Sequence, residues 1–159
     1  MSDAAPTPSH TPTAEETLYC TIDADFEDVV PYVQLEHELA DFETVRVTRL
    51  DEMIEGMLGE TVERTALIVV CHPEIARDAL AISPTLAGML PCTTVVYERP
   101  DDDLVHVLHV SATKAIRDLG LSTDVDAVQS LVERTGELMA VVWENVRTNT
   151  AVVGADGQP

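Results

Sequence analysis

The chain has 159 residues, and 29 Asp and Glu against 9 Lys and Arg leave a formal charge of −20 while the mean hydropathy stays slightly positive. So acidic a surface carries no electrostatic footprint for phosphate backbones, which excludes sequence-independent nucleic-acid binding. An apolar content of 45% excludes an acidic disordered chain, and the length suits a single domain.

Residues 1 to 16 show neither a basic n-region nor an apolar h-region, so no signal peptide is read there, and three prolines among Ser, Thr and Ala make a flexible tail. The domain is expected over residues 17 to 147. Leu18 to Asp23 alternates as a first strand, ending where Asp23 and Asp25 can cap a helix. Phe26, Val29, Val30, Val33, His37 and Ala40 share one face of that helix, and Pro31 is expected to kink or restart it. Thr44 to Thr48 reads as a second strand. A capping box from Thr48 to Asp51 then opens a short helix with Leu50, Ile54 and Met57 inward, ended by Gly59.

Ala66 to Cys71 (ALIVVC) is a continuous apolar run too short for a helix, read as a strand buried on both faces. Pro73 starts the next helix, and Ser83 and Pro84 restart the chain in helix to about Gly88. Thr93 to Glu98 is a strand that the polar turn Arg99 to Asp103 joins to Leu104 to Val110 as a hairpin. A long final helix runs from about Asp124 to Arg147. Its seam of Val125, Val128, Val132, Thr135, Met139, Val142 and Val146 is widened by Leu131 and Leu138 into a face that packs on a sheet. Residues 148 to 159 read as a second flexible tail.

About five strands with helices that do not alternate strictly predict an α+β two-layer sandwich, with an open parallel α/β sheet as the competitor. The uncharged stretch Ala79 to Tyr97 is broken by Pro84, Gly88 and Pro91 and is not a membrane span. Cys20, Cys71 and Cys92 are odd in number and widely spaced, which points to a reducing, cytoplasmic interior and no disulfide framework. Eight arginines and a single lysine, Lys114, under this excess of acid resemble the composition of cytosolic proteins from salt-accumulating archaea.

The candidate site is Cys71, His72 and Pro73, at the junction of a buried strand and a helix N-terminus that favours a thiolate, together with Pro91 and Cys92. If the two strands pair antiparallel, the sulfurs approach; if parallel, a six-residue strand at roughly 3.3 Å each holds them nearly 20 Å apart. Cys71, His72 and Cys92 with an external fourth ligand suit zinc or copper, although no short paired-ligand spacing is present. Free cysteines also pack as small hydrophobes, the expectation for Cys20.

CHP at 71 to 73, a helix, Ser83-Pro84 and LPCTTVVYE at 90 to 98 resemble the domain of unknown function 302 family, over about Leu18 to Val146. That family commonly has Cys-Asn-Pro where this chain has His72, and a basic residue where it has Thr93. An imidazole nitrogen can cap in place of Asn. Thr93 removes a charge that would stabilise a thiolate or bind an anion. The resemblance implies an α+β fold with a tendency to dimerise and names no activity or cofactor.

His106 and His109, three apart on a strand, point to opposite faces and cannot serve one metal, so boundary positions are expected. His37 is read as a hydrogen-bonded boundary residue. Asp101, Asp102 and Asp103 read as a solvated turn lacking the Ca²⁺-loop pattern. No Gly-rich phosphate loop occurs, and the aromatic residues are too scattered for base stacking. Three functions remain open: a small binding or accessory module, homodimeric and with a ligand or metal pocket near Cys71 and Cys92; a thiol-dependent redox protein using those cysteines; and a structural partner-binding domain.

Overall fold

Each expected strand forms in the computed structural model, which describes residues 18–148; the first predicted tail, with His10, and residues 149–159 of the second lie outside the described residues, while Thr148 ends the last helix. The strands are β1 Leu18–Ile22, β2 Glu43–Arg49, β3 Thr65–Cys71, β4 Cys92–Tyr97 and β5 Val105–Val110. They make one sheet in the order β1-β5-β4-β3-β2, with every neighbouring pair antiparallel. The architecture is therefore α+β, and the parallel alternative is excluded. The short 93–110 hairpin is central to this outcome, because a tight turn can join only antiparallel neighbours.

Alternation along the strands assigns each side chain to a face. Ala66, Ile68 and Val70 of β3 are fully buried, whereas Leu67 and Val69 between them are half-buried. The apolar run ALIVVC is thus buried completely on one face only. Register carries that inner face across the sheet, where Ile68, Thr94, His109 and Leu18 form one cross-strand row and Ala66, Val96, Val107 and Cys20 the next.

Two helices cover the inner face: α1 (Phe26–Leu39) and α5 (Val125–Thr148). Phe26, Val29 and Val33 of α1 meet Met139, Val142, Trp143 and Val146 of α5 over the strands in the main core. Asp25 caps α1 by accepting a hydrogen bond from the Glu27 amide at 2.9 Å. Pro31 lies inside α1, which runs unbroken from Phe26 to Leu39, so the expected restart does not occur. A second core joins α3 (Pro73–Ile82), a 3₁₀ segment (Pro84–Met89), α4 (Ala112–Asp118) and the first half of α5 through Ile75, Ala79, Leu86, Ile116, Val128 and Leu131.

The helix α2 (Leu50–Leu58) departs from expectation at its start. Thr48 stays in β2, Arg49 takes the N-cap position without a side-chain bond, and no capping box forms. Asp51 instead accepts a forked pair of bonds from Arg49 at 3.0 and 2.7 Å and a bond from the Thr65 amide at 3.3 Å. Leu50 and Ile54 are half-buried, but Met57 is 79% exposed and does not face inward. Gly59 ends the helix with φ of 68°, a left-handed cap that glycine adopts without strain. The helix α4 was not expected; Ser111 caps it through the Lys114 amide at 3.3 Å.

Candidate functional site

Cys71 closes β3, His72 caps α3 and Pro73 is its first residue, as the chain order suggests. His72 Nδ1 accepts a bond from the Glu74 amide at 3.3 Å, so the imidazole does cap the helix, and its ring meets the edge of Phe42 at 5.1 Å. Leu90-Pro91 is a cis peptide, and Cys92 begins β4.

Antiparallel pairing brings the two thiol-bearing strand ends side by side, yet the register opposes Cys92 to Val70 and not to Cys71. Directly opposed residues share a face and successive residues alternate, so Cys92 lies on the inner face and Cys71 on the other. Burial pushes both thiols up from their ordinary pKa, and pushes Cys20 up to about 11. Desolvation therefore outweighs the thiolate-favouring effect expected of the helix terminus at Cys71. All three cysteines are free, and among the described residues no group of three or more His, Cys, Asp or Glu is placed to hold a metal ion. Mild oxidation followed by peptide mass mapping is expected to yield no Cys71-Cys92 disulfide; a substantial yield would show that the sheet end opens enough to bring the sulfurs together.

A different constellation occupies the centre of the inner face. His37, Thr94 and His109 are all buried, with Thr94 Oγ1 at 3.0 Å from both His37 Nε2 and His109 Nδ1. The proton positions follow from His37 Nδ1, which is 2.7 Å from the Val33 carbonyl and must donate to it. Burial lowers the pKa of His37, so its ring is neutral and its Nε2 accepts from the Thr94 hydroxyl. Thr94 has then used its only proton and accepts from His109 Nδ1–H. Burial, with His37 and Lys114 adding to it, pulls His109 down to about 3. His109 is consequently neutral, with a bare Nε2 that is buried and has no hydrogen-bond partner.

His109 lines a half-open cavity of about 470 Å³ between the β5 end, α4 and α5. Its walls are mainly apolar, among them Leu18, Val132 and Met139, with Ser111, Lys114 and Asp118 as polar members. Thr135 also reaches the wall, but its hydroxyl is committed to the Leu131 carbonyl at 2.8 Å. Gly136 borders the cavity from the middle of α5, where a methyl group built on it meets nothing within 4 Å. The protein's own packing therefore does not require a glycine at this helical position, which costs roughly 1 kcal/mol relative to Ala.

A second polar cluster lies on the opposite sheet face. His106 donates from Nε2 to Asp102 at 2.9 Å, shares a hydrogen bond at Nδ1 with the Tyr19 hydroxyl at 2.6 Å, and stacks on Tyr97 at 5.0 Å. Asp102 also accepts from the Leu104 amide at 3.0 Å, and these bonds hold its carboxyl below the ordinary range. Asp102 is thus a tether for the hairpin and not merely part of a solvated turn. His106 and His109 do take opposite faces, but both are buried, at 3% and 5% exposure, and neither is a boundary residue.

These features define a two-layer α+β domain: a five-stranded antiparallel sheet, a long closing helix over one face, and a polar row leading to a cavity at the sheet edge. The chain belongs to the family described as Domain of unknown function DUF302, whose model matches residues 18–145. The crystal structure of an uncharacterized conserved DUF302 protein from Bacillus stearothermophilus superimposes with a TM-score of 0.65 at 15% identity, covering 79% of this chain and 95% of that one. At that identity the likeness concerns the fold. No curated protein matches the chain. Among the described residues no helix is long and apolar enough to cross a membrane.

Proposed function

We propose that this protein is a small-molecule-binding module whose site is the cavity beside His109. The observation that carries the reading is an apolar cavity, of a size in the range of small-ligand pockets, lined by His109, whose buried imidazole has an unpartnered nitrogen. An unsatisfied buried acceptor costs about 1 to 3 kcal/mol, and a ligand that satisfies it recovers that energy. The raised thiol pKa values and their opposite faces favour this cavity over Cys71 and Cys92 as the binding centre.

The test is an amide NMR titration with p-cresol in molar KCl. Shifts are expected to cluster at Leu108, Val110, Ala115 and Gly136; shifts scattered over the surface would overturn the reading. Gly136→Leu fills the cavity with a better helix former. It is expected to raise thermal stability by roughly 0.5 to 1 kcal/mol while abolishing the titration, as in other sites where room for ligand is kept at the expense of stability.

The acid excess and the three free cysteines support a salt-rich, reducing cytosol as the working environment. Self-association is part of the same proposal. Leu67 and Val95, paired across β3 and β4 on the face away from α1 and α5, are half-buried and offer apolar surface for it. Sedimentation in molar KCl is expected to give twice the chain mass, and a monomer at high concentration would exclude it.

A further inference from the structure

We infer that the cavity selects ligands that donate a hydrogen bond, because the Val33 carbonyl, acting through His37 and Thr94, leaves His109 with an acceptor and no donor at its Nε2. The inference rests on the binding reading above and adds the chemical class: a neutral molecule with an apolar body and one hydroxyl or N–H group.

The logic runs in one direction along the row. A carbonyl oxygen can only accept, so the contact at His37 Nδ1 fixes that proton. Each later bond then has a single possible donor: Thr94 to His37, and His109 to Thr94. The order would reverse only if His37 carried a second proton, and His109 Nε2 would gain one without reversal only if that ring were charged; both rings sit in an interior that disfavours charge. His109 is also close enough to Lys114 to feel its charge, which disfavours a cationic ligand at the same nitrogen. Thr94 and His37 are therefore positioning residues: His109 lines the cavity, whereas Thr94 and His37 do not.

A donor ligand pairs a nitrogen that is already desolvated and unpaired, whereas an isostere without a donor leaves that cost in place, so the site favours the donor. p-Cresol and p-xylene differ in shape only by hydroxyl against methyl. A cavity indifferent to hydrogen bonding would prefer p-xylene, the more apolar molecule, so the expected order is opposite to that of hydrophobicity.

Two measurements on the wild-type chain in molar KCl test this. The ¹⁵N spectrum of the His109 ring is expected to show Nδ1 protonated and Nε2 bare; a proton on Nε2 overturns the inference without any ligand. In NMR titrations p-cresol is expected to bind at least about tenfold tighter than p-xylene or p-tolunitrile, an acceptor-only analogue. Equal binding, or a preference for p-xylene, overturns the selectivity while leaving the cavity as a binding site. Failure of all three to bind overturns both readings. Thr94→Val removes the relay and frees His109 to place its proton on Nε2, so p-tolunitrile is expected to gain on p-cresol. A merely structural role for Thr94 would weaken both ligands alike.

Discussion

In dilute buffer at neutral pH the protein is expected to lose most of its near-ultraviolet circular dichroism and its cooperative melting transition, and to regain both in molar KCl. The charge of −20 sets the sign, and its arrangement sets the severity. Around the start of α1, Arg49 reaches Glu27 at 2.8 Å, Asp51 at 2.7 Å and Glu52 at 3.4 Å, while Arg64 reaches Glu98 at 2.6 Å, Glu27 at 3.8 Å and Asp25 at 4.0 Å. Both guanidinium groups lie over the Phe26 ring, at 4.8 and 5.1 Å from its centroid. Five carboxylates thus share two cations at the joint between α1, α2 and the sheet. A similar arrangement recurs where Arg134 bridges Glu74 and Asp78 across α5 and α3, with Arg77 also reaching Asp78 at 3.0 Å.

Salt of about 0.1 M screens charges over about 10 Å, which leaves the residual repulsion at such joints intact, whereas about 1 M shortens that length to about 3 Å. Arg49→Gln leaves Asp51, Glu27 and Glu52 facing one another and is expected to raise the KCl concentration needed for folding. A full native spectrum and a cooperative melt of the wild type in dilute buffer would sink the idea.

The sequence revealed the elements whose signal is local. Alternation in β1, the apolar run of β3 and the turn at Arg99 to Asp103 placed the strands, and the hairpin weighed against a parallel sheet, which the antiparallel pairing excludes. What it left open was register and distant partnership. Strand direction settled that Cys71 and Cys92 lie at adjoining strand ends, but the face each occupies depends on pairing Cys92 with Val70, a one-residue matter that no local pattern encodes. His109 was correctly set on the face opposite His106 by strand alternation. Its burial was not legible, because its partner Thr94 lies across the hairpin and His37 a further helix away. The cavity also needed α4, whose seven residues carry little apolar periodicity beyond Ile116 and whose Ser111 cap lacks an acidic partner three residues on. The thiol chemistry expected of a helix terminus was overridden by desolvation, a property of packing and not of position.

Lowering the pH from 6.5 to 5 in molar KCl is expected to destabilise the fold steeply, before most carboxylates titrate. His37 and His109 are buried neutral, so their folded pKa values lie below the unfolded value of about 6.5. Below that value the unfolded chain binds more protons than the folded one, and stability therefore falls with pH until the folded pKa is reached. His109, with a folded value of about 3, contributes a slope that grows from roughly 0.7 to roughly 1.3 kcal/mol per pH unit across this window, or about 1.6 kcal/mol by pH 5. His37 acts in the same direction. Carboxylates held low by hydrogen bonds, such as Asp51 and Asp102, add their loss only as pH falls through and below the ordinary carboxylate range near 4. Neutralising the many other acids relieves repulsion and opposes the trend, but in that same lower range. The slope between 6.5 and 5 therefore reports the buried imidazoles. Urea titrations across this window measure it directly, and His109→Gln, which keeps a donor for Thr94 without a titrating ring, is expected to remove about 1.1 kcal/mol per pH unit, averaged over the window, from the slope. An unchanged slope in that variant would mean that His109 is not buried neutral in the folded protein, and the bare nitrogen at the cavity wall would lose its support as well.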